Sequence, residues 1–283
     1  MKKHLKLTIL GSGSSGGVPR ANGDWGVCDP GEPKNRRTRC SLLVQYWQTP
    51  EGEGTDPEKE PPKSEQTIVL IDTSPDLREQ LIAAKIRRLD AVIYTHDHAD
   101  QTHGIDDLRA ISYTMRARIP VHMDALTHTE MDRKFGYCFE IPEGRAHPAI
   151  LEHMPRLIAG QAVTIDGPGG ALDFLPVELS HGNAPSLGFR FGPAAYAPDV
   201  HEISQGSLEA LSGVELFIID ALRYHAHPTH AHADRALTWI AQTAARKAVL
   251  TNLHIDMDYA TLGAELLGPH EAAYDGMVLR LTF

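Results

Sequence analysis

Short apolar runs along this chain end abruptly in aspartate or histidine. TIVLID closes on Asp72, AVIYT runs straight into His96, LPVELS into His181, ELFIID closes on Asp220, and AVLTNL is followed by His254. The brief run Ala194 to Asp199 ends the same way. Apolar runs of this length bounded by turn signals read as buried strands. An acid or imidazole at the end of such a strand lies at the rim of a sheet, where side chains far apart in sequence can meet. Any one of these residues alone reads as an ordinary loop residue, and only their shared placement points to a common site.

Further strands are expected over Lys6 to Leu10, Ser41 to Tyr46, Ser186 to Phe191 and Met277 to Phe283, with Leu172 to Ser180 and Ser186 to Phe191 antiparallel. One helix is expected to start at Pro75 under a Ser74 cap, with Leu77, Leu81, Ile82, Ile86 and Leu89 as its apolar face. A second carries Ile105, Leu108, Ile111 and Met115, and a third spans His232 to Arg246. Strands and helices mix in both halves. This α/β pattern fits two sheets with helices outside better than one doubly wound sheet. The Pro-, Gly- and Glu-rich stretch at about 49–66 has no periodicity and reads as an exposed loop insertion in a single domain over 1–283.

Composition removes several function classes. The 283 residues carry 27 basic and 37 acidic side chains, a formal net charge of -10, so a global basic field for a nucleic-acid polymer is absent. No apolar stretch approaches the ~18 residues of a membrane-spanning helix, and the start MKKHLKLTIL breaks at Gly11, so a cytoplasmic protein without a membrane partner is expected. Cys28, Cys40 and Cys138 have neither disulfide-framework nor zinc-finger spacing. The 16 histidines are the unusual entry in the composition, and several cluster.

The densest cluster is Thr95-His96-Asp97-His98-Ala99-Asp100-Gln101, directly after a buried-type strand. Imidazole and carboxylate together suit zinc, iron or manganese. In contrast, Gly11-Ser12-Gly13-Ser14-Ser15-Gly16 matches a dinucleotide fingerprint only in letters. Gly17-Val18-Pro19 and no helical pattern follow it, so the fingerprint reading fails. Small residues there would let the backbone run close to the site, and Ser14 or Ser15 could touch a substrate phosphate. Arg36, Arg37 and Arg39 could attract an anion, but at least two of them read as a solvated or salt-bridged charge run.

Asp72, the His96-Asp97-His98-Ala99-Asp100 motif, His181, Asp199 and the late region near His254 together resemble the metallo-β-lactamase superfamily over nearly the whole chain. The opening Leu10 to Pro19, the stretch PKNRRTRCSLLV and the ending Ala273-Tyr274-Asp275-Gly276 resemble the branch containing the phosphonate-operon cyclic phosphodiesterase. The resemblance implies an αββα four-layer sandwich of two mixed sheets flanked by helices, with a two-metal site at one edge. It implies that His96, His98 and His181 bind a first zinc or manganese ion, that Asp199 bridges, and that Asp100 binds a second. Asp72 would orient a ligand. His230, before the penultimate helix, would be the general acid or touch the substrate phosphate.

Three positions depart from the family pattern. Gln101 follows Asp100 where the family has histidine, and Asn252 follows Thr251 where the last ligand is expected. These changes weaken the second metal site, with His254 as a candidate replacement ligand and Gln101 as a supporting residue. Only Cys28 stands where the phosphodiesterase has its cysteines, so no structural zinc is expected there. A metal ion lowers the pKa of bound water toward ~7, so hydrolysis by a metal-bound hydroxide is expected. A small cyclic or nucleotide-like phosphate ester is the expected substrate. A thioester or lactone hydrolase of the same fold, and a non-catalytic nucleotide- or phosphate-binding module with a degenerate second metal site, are the alternatives. A homodimer is left open.

Overall fold

Period-two burial builds both sheets. In β1 (Lys2–Gly11), Leu5, Leu7 and Ile9 face one way, and Leu42, Val44 and Tyr46 of β2 (Ser41–Thr49) join them. Successive strand side chains alternate faces, so Leu43 points to the opposite side. β3 (Thr67–Ile71) and β4 (Ala91–Ile93) are buried on both faces, as their continuous apolar runs require. The computed structural model describes residues 1–51, 60–141 and 147–283. Residues 52–59, within the expected loop insertion, lie outside the described residues.

Two seven-stranded sheets result. With β5 (Ile119–His122), β6 (Leu151–His153) and β14 (Met277–Thr282), the first runs β14-β1-β2-β3-β4-β5-β6. The second contains β7 (Val163–Ile165), β8 (Leu172–His181), β9 (Ala184–Phe191), β10 (Ala194–Ala197), β11 (Leu216–Asp220), β12 (Lys247–Thr251) and β13 (Glu271–Ala272), in the order β13-β12-β11-β10-β9-β8-β7. β8 and β9 form the expected antiparallel pair, closing at His181 opposite Ala184. β10, β11 and β12 run parallel, as do β3 and β4.

Three apolar layers hold the sandwich. The inner faces meet in a core that includes Leu5, Val44, Val69, Phe174, Phe189 and Ile218. Helices α1 (Leu77–Ala83), α3 (Leu108–Met115) and α4 (Ala125–Phe135) lie along the outer face of the first sheet. Helices α5 (Gln205–Leu211), α6 (Ala233–Thr243) and α7 (Tyr259–Glu265) cover the second. A one-turn helix, α2 (Ala99–Thr102), follows the histidine motif. The architecture is the expected four-layer αββα sandwich. Among the described residues, no helix is long and apolar enough to cross a membrane.

Helix boundaries differ from the expectation for local reasons. Asp76 occupies the N-cap of α1, two residues beyond Ser74, and the Ser74 hydroxyl accepts from the Asp76 N–H and donates to Gln80 Oε1. The helix ends at Ala83, and Lys85 turns left-handed at φ 54°, so buried Ile86 and Leu89 belong to the following extended segment. α6 stops at Thr243, with left-handed Ala244 at its C-cap, short of Arg246.

Candidate metal centre

The carboxyl ends of β3, β4, β8, β10, β11 and β12 deliver Asp72, His96, His181, Asp199, Asp220 and Asn252 to one edge of the sandwich. Asp72 and Asn252 leave their strands with φ of 64° and 62°. This left-handed conformation is one that Asp and Asn adopt more readily than most residues. The turn lets Asp72 reach back to the next strand. Its two oxygens accept from the Thr95 N–H at 2.8 Å and the Thr95 hydroxyl at 2.9 Å, and Thr95 Oγ1 lies 3.0 Å from His96 Nδ1. With the hydroxyl proton given to Asp72, His96 donates from Nδ1 and its Nε2 keeps a lone pair. Asp72 therefore orients His96 through Thr95.

His96, His98 and His181 offer one ring nitrogen each within 4.8 Å of one another. His181 Nδ1 donates to the Thr229 carbonyl at 2.7 Å, which frees Nε2, and Nε2 lies 3.3 Å from His98 Nδ1. A tetrahedral zinc with bonds of ~2.0 Å needs its nitrogens about 3.3 Å apart. His96 Nε2 is buried without a hydrogen-bond partner, a costly state for a polar atom unless an ion takes it. Burial, then the neighbouring imidazoles, pushes His96 well below the usual histidine range. Burial also takes His181 to about 4, so both rings are neutral at pH 7 and able to ligate. These residues fit a first divalent ion.

Asp199 stands beside them. It shares a second group of ligand-capable atoms with His181 and His230. Gln101 Nε2 donates to its Oδ2 at 2.7 Å, and Asn252 Nδ2 donates to its Oδ1 at 3.3 Å and to the Pro198 carbonyl at 2.9 Å. The two residues that depart from the family pattern thus present amide N–H groups to the carboxylate. Gln101 was expected as a supporting residue; it reaches Asp199 in this way, and its Oε1 is buried without a partner. Burial pushes Asp199 up; His230 pulls it down while Asp100 and Asp220 add to the rise. Asp100 joins neither group of ligand-capable atoms, but its charge raises His230, so it acts on the same cleft.

His230 Nδ1 lies 2.8 Å from Asp220 Oδ2 and 3.7 Å from Asp199 Oδ1. Burial alone would lower His230, but the hydrogen bond and charge of Asp220, helped by Asp199 and Asp100, carry it to about 9. The Asp220 partnership is a pairing that the sequence reading did not assign. Its signal was present, since ELFIID ends in an acid just as TIVLID does.

His254 is a correction. Its ring does not join either histidine–aspartate group at the cleft. Nε2 faces the Arg20 guanidinium and Nδ1 lies 2.9 Å from Asp256 Oδ2, because the backbone N–H of His254 is tied to the Leu222 carbonyl beyond Asn252. A side chain at Gly11 would strike the Arg39 carbonyl at 1.9 Å, so the small residue serves packing against the Arg37–Arg39 segment. The loop still runs beside the cleft, with the Ser14 N–H bonded to the Leu253 carbonyl; Ser14 is buried and Ser15 exposed. Arg39 pairs with Asp76, and Arg37 is 2% exposed, bonded to Asn35 and the His254 carbonyl rather than solvated. Arg36 is exposed.

A histidine-and-aspartate cleft at the edge of an αββα sandwich defines a metallo-hydrolase class, and comparison agrees. The chain belongs to the β-lactamase superfamily: the signature described as a beta-lactamase superfamily domain matches residues 67–255. It lies close to the PhnP branch. The crystal structure of a diphosphatase from the PhnP family is 31% identical with a TM-score of 0.81, covering 100% of this chain and 99% of that one. Zinc-bound PqqB from Methylobacterium extorquens shares the fold at 16% identity and a TM-score of 0.67, over 97% and 99% of the two chains. An octanoyltransferase of Porphyromonas gingivalis (strain ATCC BAA-308 / W83) is 31% identical over 280 residues, 96% of this chain and 51% of that protein. The chain thus spans about half the length of that curated relative.

Proposed function

We propose that this metallo-hydrolase is a phosphodiesterase acting on a small cyclic or nucleotide-like phosphate ester. The observation that carries the reading is the meeting of His96, His98 and His181 beside buried Asp199 and the His230–Asp220 pair. His96 Nε2, His98 Nδ1 and His181 Nε2 would hold the first zinc or manganese ion. Asp199 would bridge to a second, weaker ion held by Asp100. When bound, such ions supply an activated water and charge stabilisation at a phosphoryl centre.

The chain's own residues do the rest. Asp72, through Thr95, fixes the His96 tautomer. Gln101 and Asn252 hold Asp199 in place. His230, kept protonated by Asp220, gives its proton to the leaving alkoxide. Ser14 and Ser15, in the loop beside Leu253, would meet the phosphate. The similarity to a PhnP-family diphosphatase along the whole chain supports phosphorus–oxygen chemistry. The enzyme loaded with zinc or manganese should cleave bis(p-nitrophenyl) phosphate, lose this activity on chelation and regain it with metal. Full metal loading without turnover of any phosphodiester overturns the reading.

The octanoyltransferase similarity favours one second reading, a thioester hydrolase of the same fold. Turnover of an octanoyl thioester above that of phosphodiesters would select it.

A further inference from the structure

The outer face of the first sheet carries a second constellation of two imidazoles and a carboxylate, separate from the cleft. His128 and Asp132 stand one turn apart on α4, and His153 ends β6. Residues four apart share a helix face, so the helix presents both side chains to the strand end. Asp132 Oδ2 is 3.1 Å from His128 Nδ1, and its Oδ1 is 2.9 Å from His153 Nε2. One ligand-capable atom from each residue lies within 4.8 Å of the other two. The ring of His153 is stacked on buried Phe139, with centroids 3.9 Å apart and planes 5° from parallel, which fixes its direction. Asp132 is 43% exposed and the three residues line an open hollow with Glu140, so water can complete a coordination shell.

We infer that His128, Asp132 and His153 form a peripheral divalent-cation site of the zinc type, clamping α4 onto β6. Two imidazoles and one carboxylate with open positions are a donor set that zinc accepts. Binding takes the place of the two ring protons now shared with Asp132, which move to the other ring nitrogens, His128 Nε2 and His153 Nδ1, and draws the three donor atoms to the about 3.3 Å spacing of a tetrahedral shell. Arg156 lies 3.2 Å from His128 Nε2 and must turn outward when that nitrogen carries the proton.

The test is anomalous diffraction at the zinc edge on crystals of the zinc-loaded full chain, together with zinc per chain in solution. A peak among His128, Asp132 and His153, apart from any peak at the cleft, is expected. Asp132→Asn and the double variant His128→Gln/His153→Gln should each hold one zinc fewer per chain, with phosphodiester turnover and circular dichroism unchanged. No peak at this position in the wild-type protein overturns the site, as does equal zinc content in wild type and a natively folded variant. The wild-type map decides even if a variant fails to fold. A peak here with an empty cleft, or the reverse, separates this inference from the proposed function.

Discussion

His230 illustrates what one neighbouring residue can do to a half-buried imidazole. Burial disfavours a charged imidazole, yet Asp220 at 2.8 Å, with Asp199 and Asp100 nearby, lifts it to about 9. Without metal, His230 is therefore charged through neutral pH and loses its proton only as pH rises through about 9. Asp220→Asn removes the strongest raising influence and leaves burial opposed only by Asp199 and Asp100, so the alkaline limb of the kcat/KM profile should move to lower pH, with kcat reduced by about 100-fold. A profile that does not move would show that His230 is not the titrating acid. His230 was singled out in the sequence only by the family resemblance, because several histidines crowd the stretch before its helix. Its partner was not, because an aspartate ending a buried strand looks the same whether it meets a metal, a histidine or nothing. His254 was misread for a related reason. Chain position placed it near the cleft, but the left-handed turn at Asn252 and the Leu222 hydrogen bond send its ring to Arg20.

Elements with strong periodicity were the legible ones. β3, β8, β9, β11 and β12 follow the apolar runs, because a strand buried on one or both faces must write its burial into its composition. α4 was missed because ALTHTEMDRKF buries only Thr127 and Met131 and has no apolar stripe. α7 is equally short of pattern and is specified by its cap. Asp258 accepts from the Thr261 N–H and hydroxyl, from Asn35 Nδ2 and from the Asp29 N–H. Burial works against its ionised form, but these hydrogen bonds prevail and take its carboxyl down to about 2. A depressed carboxylate stabilises the fold above its unfolded pKa of ~3.9 and loses that contribution as pH falls toward 2. Asp258→Ala should cost about 1 kcal/mol at neutral pH, measured by urea unfolding. The deficit should shrink as pH falls from about 4 to 2. A constant deficit across that range would assign the loss to packing.

At the scale of the molecule, three segments far apart in sequence are gathered by one half-buried carboxylate. Asp275 Oδ1 accepts from the Ser12 N–H and hydroxyl, and Oδ2 from the Thr38 N–H and hydroxyl. The Tyr274-Asp275-Gly276 turn thereby fastens the glycine–serine loop and the arginine-rich stretch along the cleft's side of the sandwich. Asp275→Ala strands four donors and should cost about 3 kcal/mol in denaturant unfolding. Asp275→Asn, which keeps one acceptor oxygen, should cost less; equal losses would contradict the clasp. The four-layer architecture itself was legible from the mix of elements and the family resemblance. The clasp was not, since no periodicity links residues 263 positions apart.

The account stands on the three converging imidazoles. Anomalous diffraction at the zinc edge, collected on zinc-loaded crystals, tests that convergence directly. A peak about 2 Å from His96 Nε2, His98 Nδ1 and His181 Nε2 is the predicted result. An empty map at that point after full loading, with the three rings turned apart, would contradict it.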